Sequence, residues 1–179
     1  MDFATYFSSA LDYAEFLARH ASPEDLGKWE ECFNRARLTD DQEKVVNGFQ
    51  RRMHVLCIAG AWCPDCSAQC PILQRIAEGS PEIDLRFIDR DVYSSTGGQL
   101  TLCGGHRVPT VIFLSEDDYF CGVYGDRSLT RYRQMAGNLP RETQGMTTRQ
   151  MICQEWLNEF ERIQLMLVTS PRLQSLSGR

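Results

Sequence analysis

His54-Val55-Leu56-Cys57-Ile58-Ala59-Gly60-Ala61-Trp62-Cys63-Pro64-Asp65-Cys66 reads as a buried strand running into a helix, with two cysteines at the junction. His54 to Ala59 is short, apolar and partly β-branched, the pattern of a strand covered on both faces. Pro64 suits the first helical position, because its φ is preset and it has no N–H to leave unpaired. Cys63 then falls at the helix cap, where free N–H groups and the positive end of the dipole favour a thiolate. Cys66 lies one turn on and slightly inside. Such a pair can close a small ring: the first sulfur attacks a disulfide and the second resolves the mixed disulfide that results. Asp65 sits between them, and a carboxylate there disfavours the Cys63 thiolate and is expected to hold the pair on the reducing side.

Upstream, apolar residues recur at helical spacing from Phe3 to Leu17, predicting one amphipathic helix. Ser22-Pro23 opens a second helix with Leu26, Trp29, Phe33 and Ala36 on one side, and Thr39 to Gln42 is a capping box opening a third. Downstream, the helix after Cys66 runs to Gly79, and Ile83 to Asp89 alternates as a strand, which implies parallel pairing with the first. The glycine-rich stretch from Ser94 to Gly105 is expected to hold a short helix around Gln99 to Cys103. Val108 to Leu114 and Tyr119 to Tyr124 read as a hairpin, so the sheet is mixed. A long surface segment is expected between Arg127 and Gly145, before a terminal helix capped by Thr147 and closed at Ser170-Pro171. The reading divides the chain into a helical N-terminal extension packed on the core (1–52), an α/β domain with a central mixed sheet (53–170) and a flexible tail (171–179).

The 179 residues suit one domain with a substantial core, and a net charge of −5 without a basic block argues against nucleic acid as a partner. No apolar run approaches the ~20 residues that span a bilayer, so no membrane partner is expected. No secretory leader is read, and the eight cysteines are taken mostly as reduced thiols in a cytoplasm. A C-x-x-C pair also serves zinc, but zinc wants four ligands and the chain has one such pair, so no metal is assigned. Ser67 after Cys66 excludes c-type haem attachment. Cys70 reads as a packed thiol in preference to a second resolving cysteine, and Cys32, Cys103, Cys121 and Cys153 as core. His106, three residues before Pro109, is a weaker candidate for the site.

Trp62 to Cys66 resembles the active site of the thioredoxin superfamily. The resemblance extends to Pro71 in the following helix, to Val108-Pro109-Thr110 as that family's cis-proline loop, and to Gly125 before the last helix. The W-C-P-D-C variant is more similar to thioredoxin-related bacterial proteins with a helical N-terminal extension than to typical thioredoxins, which have Gly-Pro between the cysteines. The resemblance implies a thioredoxin-like fold and a thiol–disulfide oxidoreductase, mainly a reductase of protein or small-molecule disulfides. It needs no cofactor but does need an upstream electron donor. Cys63 and Cys66 would be catalytic, Trp62, Val108 and Pro109 would line the substrate groove, and Pro64 and Asp65 would tune the pair. Two departures matter: Cys57 stands where thioredoxins bury an acid, and the lysine that accompanies that acid has no counterpart near Arg86 to Ile88. Proton handling must therefore differ. The alternative is a redox-inert interaction module of the same fold, or a cysteine metal-binding protein.

Overall fold

In the computed structural model, which describes residues 2–137 and 145–176, β1 (Met53–Ala59) lies inside a four-stranded sheet. β2 (Ile83–Asp89) runs parallel to β1 on one side, and β3 (Thr110–Ser115) antiparallel on the other. β4 (Phe120–Gly125) closes the far edge antiparallel to β3, giving the order β2-β1-β3-β4. The expected mixed sheet is present. Cys57 sits mid-strand, level with Phe87 and Val111, and is completely buried.

The helix expected from Phe3 to Leu17 is two helices, α1 (Phe3–Ser9) and α2 (Tyr13–His20). The break has a physical cause. Leu11 exchanges both backbone hydrogen bonds with Phe87, at 2.9 and 2.7 Å, and covers part of the open edge of β2. Asp12 then starts α2 through a capping box with Glu15. The apolar spacing runs through the break because both helices bury into one core, Phe3 and Phe7 from the first and Phe16 and Leu17 from the second.

α3 (Pro23–Arg35) begins at Ser22 and α4 (Asp40–Asn47) at the Thr39–Gln42 capping box, as read from the sequence. α3 packs on α5 (Pro64–Glu78), the helix that carries the cysteine pair, and buries Trp29 completely. Burying an aromatic side chain of that size contributes roughly 1.5–3 kcal/mol. Its indole N–H also donates to the Ala61 carbonyl at 2.9 Å, so α3 fixes the loop just before Cys63.

The short helix expected at Gln99 to Cys103 lies earlier, as α6 (Arg90–Ser95), because the Asp89 carboxylate caps it by accepting from the Asp91 and Val92 N–H groups. Leu102 and Gly105 instead bridge across a tight turn, with Cys103 and Gly104 both at positive φ. Within the expected surface segment from Arg127 to Gly145, Ser128 caps α7 (Leu129–Met135); residues 138–144 of that stretch lie outside the described residues. α8 (Thr148–Val168) follows the Thr147 cap and buries Ile152, Trp156, Phe160, Ile163 and Leu167, the periodic set read from the sequence. The expected frayed tail is corrected for Pro171–Leu176, which forms α9 and buries Leu173; 177–179 lie outside the described residues.

Candidate active site

Cys63 is the N-cap of α5 in an extended conformation and its side chain makes no capping hydrogen bond, so the first-turn N–H groups have no side-chain acceptor at the cap. Cys63 is 7% exposed and Cys66 is fully buried, while Trp62 beside them is 48% exposed. The Arg90 guanidinium lies 4.5 Å from the centre of a Trp62 ring and holds the indole over the entrance to α6. On the other side, the Cys63 sulfur is 3.8 Å from the Val108 carbonyl oxygen, and the Val108–Pro109 peptide bond is cis. The Pro109 loop in turn abuts Gly125, at φ 138°, where a Cβ would collide with the Pro109 carbonyl oxygen. Four separate segments thus converge on one sulfur pair: the β1–α5 junction, α6, the Val108-Pro109 turn and the end of β4.

The two sulfurs share their protons unequally. Hydrogen bonding to Cys66 is the largest cause raising the Cys63 pKa, and burial adds to it. Burial also opposes a charge on Cys66, but donation from Cys63, from Cys70 and from the Gly60 N–H at 3.4 Å outweighs it and lowers the Cys66 pKa. The two thiols therefore titrate as one unit that loses its protons in two separate steps, the second harder than the first. The Asp65 and Cys66 N–H groups at the helix cap lower the Cys63 pKa, against the rise caused by its partner thiol and by burial.

Asp65 does not act as a bare negative charge between the cysteines. It is 6% exposed and held by two guanidinium groups: Arg127 reaches one carboxylate oxygen through Nε and Nη2, each at 2.7 Å, and Arg131 Nε reaches the other at 2.7 Å. The two guanidinium groups offset that charge, which still opposes a thiolate on Cys66. Its geometry is that of a clamp between α5 and the start of α7. Gln69, one turn along, is completely buried and does the same work without charge: it donates to the Asp65 and Asp126 carbonyls and accepts from the Ser128 N–H and the Trp156 indole. Asp126 pairs with Arg127 at 2.6 Å and accepts from the Tyr132 hydroxyl. Arg127, Arg131, Gln69 and Asp126 were absent from the sequence reading. Gln69 offered the one available signal, a polar residue on an otherwise apolar helix face.

Behind the pair, the Cys57 and Cys70 sulfurs lie 3.8 Å apart, both without solvent exposure. Cys32 and Cys153 are buried as expected and Cys121 is half-buried against the core, but Cys103 is exposed and is not core. His106 lies edge-on to Tyr93. Among the described residues, no group of three or more His, Cys, Asp or Glu side chains could hold a metal ion, and no helix is long and apolar enough to cross a membrane.

Comparison with known proteins gives the arrangement a family. A search of curated proteins found no match. A solved protein of unknown function from Pseudomonas aeruginosa superposes with a TM-score of 0.73 at 18% identity, covering 91% of this chain and 96% of its own. An HIV epitope scaffold gives 0.72 at 17%, covering 91% and 97%. Fasciola hepatica thioredoxin gives 0.35 at 19%, covering 56% of this chain and 92% of its own. At these identities the first two likenesses speak for the fold alone. The model of a family described as thioredoxin matches residues 10–138, from the Leu11 bridge through α7 and across the whole sheet and cysteine pair. The chain belongs to the thioredoxin family.

Proposed function

We propose that the protein is a thiol–disulfide oxidoreductase that mainly reduces protein or small-molecule disulfides, with Cys63 as nucleophile and Cys66 as resolving thiol. The observation that carries this reading is the convergence on one pair: Cys63 at the cap of α5, Cys66 beneath it, and the Val108 carbonyl 3.8 Å from the Cys63 sulfur. Cys63 shares its proton with Cys66 and becomes the attacking thiolate as that proton passes inward. Attack on a substrate disulfide forms the mixed disulfide and releases one substrate thiolate, which takes up a proton. Cys66 then attacks Cys63, releases the second substrate thiol and leaves the Cys63–Cys66 disulfide, which an upstream dithiol donor reduces. Val108, Pro109 and the exposed Trp62 flank the approach to Cys63 and would hold the substrate strand. Pro64 sets the start of α5, and Asp65 acts through its two arginines.

The motif Trp62-Cys63-Pro64-Asp65-Cys66 supports placing the chain with bacterial relatives carrying that variant, and the many free thiols support a cytoplasmic setting within electron-transfer chemistry. We divide the chain into helices over 1–52 and a thioredoxin-like domain over 53–170; the loop contact from Trp29 means the helices support the site. Insulin reduction driven by dithiothreitol tests the reading. Cys63→Ser should abolish turnover, and Cys66→Ser should accumulate a covalent complex with its target. Full activity in both variants would put the chemistry elsewhere.

A further inference from the structure

Cys57 and Cys70 are unlike the remaining cysteines. Cys32 and Cys121 direct their sulfurs at backbone carbonyls, whereas Cys57 and Cys70 direct theirs at each other, 3.8 Å apart, with neither exposed. Cys70 is also one helical turn beyond Cys66 on α5 and is as fully buried. Cys63, Cys66 and Cys70 follow one another down the first turns of α5, and Cys57 on the inner strand β1 meets Cys70, so the four thiols lead from the helix cap into the sheet.

We propose that Cys57 and Cys70 are a second, internal dithiol that draws oxidising equivalents from the Cys63–Cys66 disulfide, so that the fully reduced protein delivers four electrons rather than two. This rests on the redox reading of Cys63 and Cys66. Complete burial means that equivalents reach the inner pair through Cys66. Cys70 attacks the Cys66 sulfur of the Cys63–Cys66 disulfide; the new bond is Cys66–Cys70, and Cys63 leaves and takes up the proton that Cys70 gave up. Cys57 then attacks Cys70, forming Cys57–Cys70, and Cys66 leaves with the proton from Cys57. Closing the inner bond takes the two sulfurs from 3.8 Å to the ~2.0 Å of a disulfide. The surface pair is then a dithiol again and reduces a second substrate disulfide. Burial raises the Cys57 and Cys70 thiols, so the inward exchange is slower than attack by the surface pair.

The sequence supplies a clean readout. Trypsin cuts after Arg52 and Arg75, and the peptide between holds Cys57, Cys63, Cys66 and Cys70 with no internal Lys or Arg. Fully reduced protein, freed of reductant, is incubated with excess oxidised glutathione, quenched in acid, unfolded, labelled with N-ethylmaleimide and digested. The expected wild-type peptide carries no label, has lost four hydrogens, and fragments as Cys63–Cys66 plus Cys57–Cys70. Labels remaining on Cys57 and Cys70 alone would overturn the proposal and leave the surface pair intact; four labels would overturn the redox reading with it. Any other pairing also overturns it. Cys57→Ala keeps the first exchange and loses the second, so its bonds should divide between Cys63–Cys66 and Cys66–Cys70; Cys70 joined directly to glutathione would count against the proposal, because oxidant would then reach the inner pair without Cys66. Cys63→Ser should keep all three remaining thiols labelled, whereas a Cys57–Cys70 bond in that variant would show that the inner pair is not fed from the surface.

Discussion

Replacing Asp65 by Asn keeps the size of the side chain and removes the charge that two arginines share. The carboxylate side chain is 9% exposed, while those of Arg127 and Arg131 are 20% and 35% exposed. Breaking a fully buried pair costs ~3–5 kcal/mol and an exposed one ~0–1, so this half-screened arrangement should lose about 2–3 kcal/mol. For a chain of this size that is about 4–12 °C in Tm. The loss should depend on acid in a definite direction. Burial works to raise the Asp65 pKa, but hydrogen bonds from Arg131 and Arg127 outweigh it, so the folded value lies below the ordinary 3.8. The stabilisation is then fully present above 3.8 and disappears as pH falls through the lowered folded value. Urea unfolding of wild type and Asp65→Asn should show the full gap at neutral pH and a shrinking gap below 3.8. Equal midpoints at neutral pH, or a gap that persists undiminished in strong acid, would refute the clamp.

Gly125→Ala forces a side chain onto a φ of 138° and into the Pro109 carbonyl, so it should cost at least ~1–3 kcal/mol in thermal melts and depress insulin reduction by displacing the turn that faces Cys63. Gln69→Leu leaves the Ser128 N–H and the Trp156 indole without an acceptor; at ~1–3 kcal/mol each, denaturant unfolding should show a loss of roughly 2–6 kcal/mol. Cys57→Ala should cost about 1 kcal/mol and keep most of the steady-state insulin reduction, since the surface pair turns over without the inner one; a stable but inactive variant would make Cys57 part of the catalytic step.

The sheet, its mixed pairing and most helices were legible because their signals are local. The β1 run, the Thr39 and Thr147 capping boxes and the Ser22-Pro23 start each declare themselves within a few residues. What escaped was nonlocal or misleading locally. Leu11 continues the helical period of its neighbours, and only pairing with Phe87, 76 positions away in sequence from Leu11, breaks the helix there. α6 follows from a carboxylate cap at Asp89 that reads equally well as the end of a strand. In the site, the cysteine pair and its cap were readable, but Arg127 and Arg131 lie 62 and 66 positions after Asp65, and no spacing rule connects them. Charge counting along the chain therefore sees the Asp65 carboxylate but not the two guanidinium groups that offset it.

With Asp65 offset in this way, the groups packed around Cys66 share the electrostatic control of the pair. The Gly60 N–H, at 3.4 Å, and the Cys63 and Cys70 thiols favour a thiolate on Cys66, while burial and the Asp65 charge oppose it. A donor to the thiolate stabilises the reduced form and not the disulfide, so each of these contacts moves the pair toward the oxidising side. Thiols are weak donors, and burial opposes the charge they support, which limits that movement. The same contacts give the protein an internal route for the proton that must leave Cys63 before it can attack. A buried acid is absent at Cys57, but Cys66 is already held as an acceptor directly against Cys63, so the proton need travel only from one sulfur to the next. The thiol at Cys57 is then free of any duty as a base, and its 3.8 Å approach to Cys70 places it where sulfur exchange, rather than proton transfer, is the chemistry within reach.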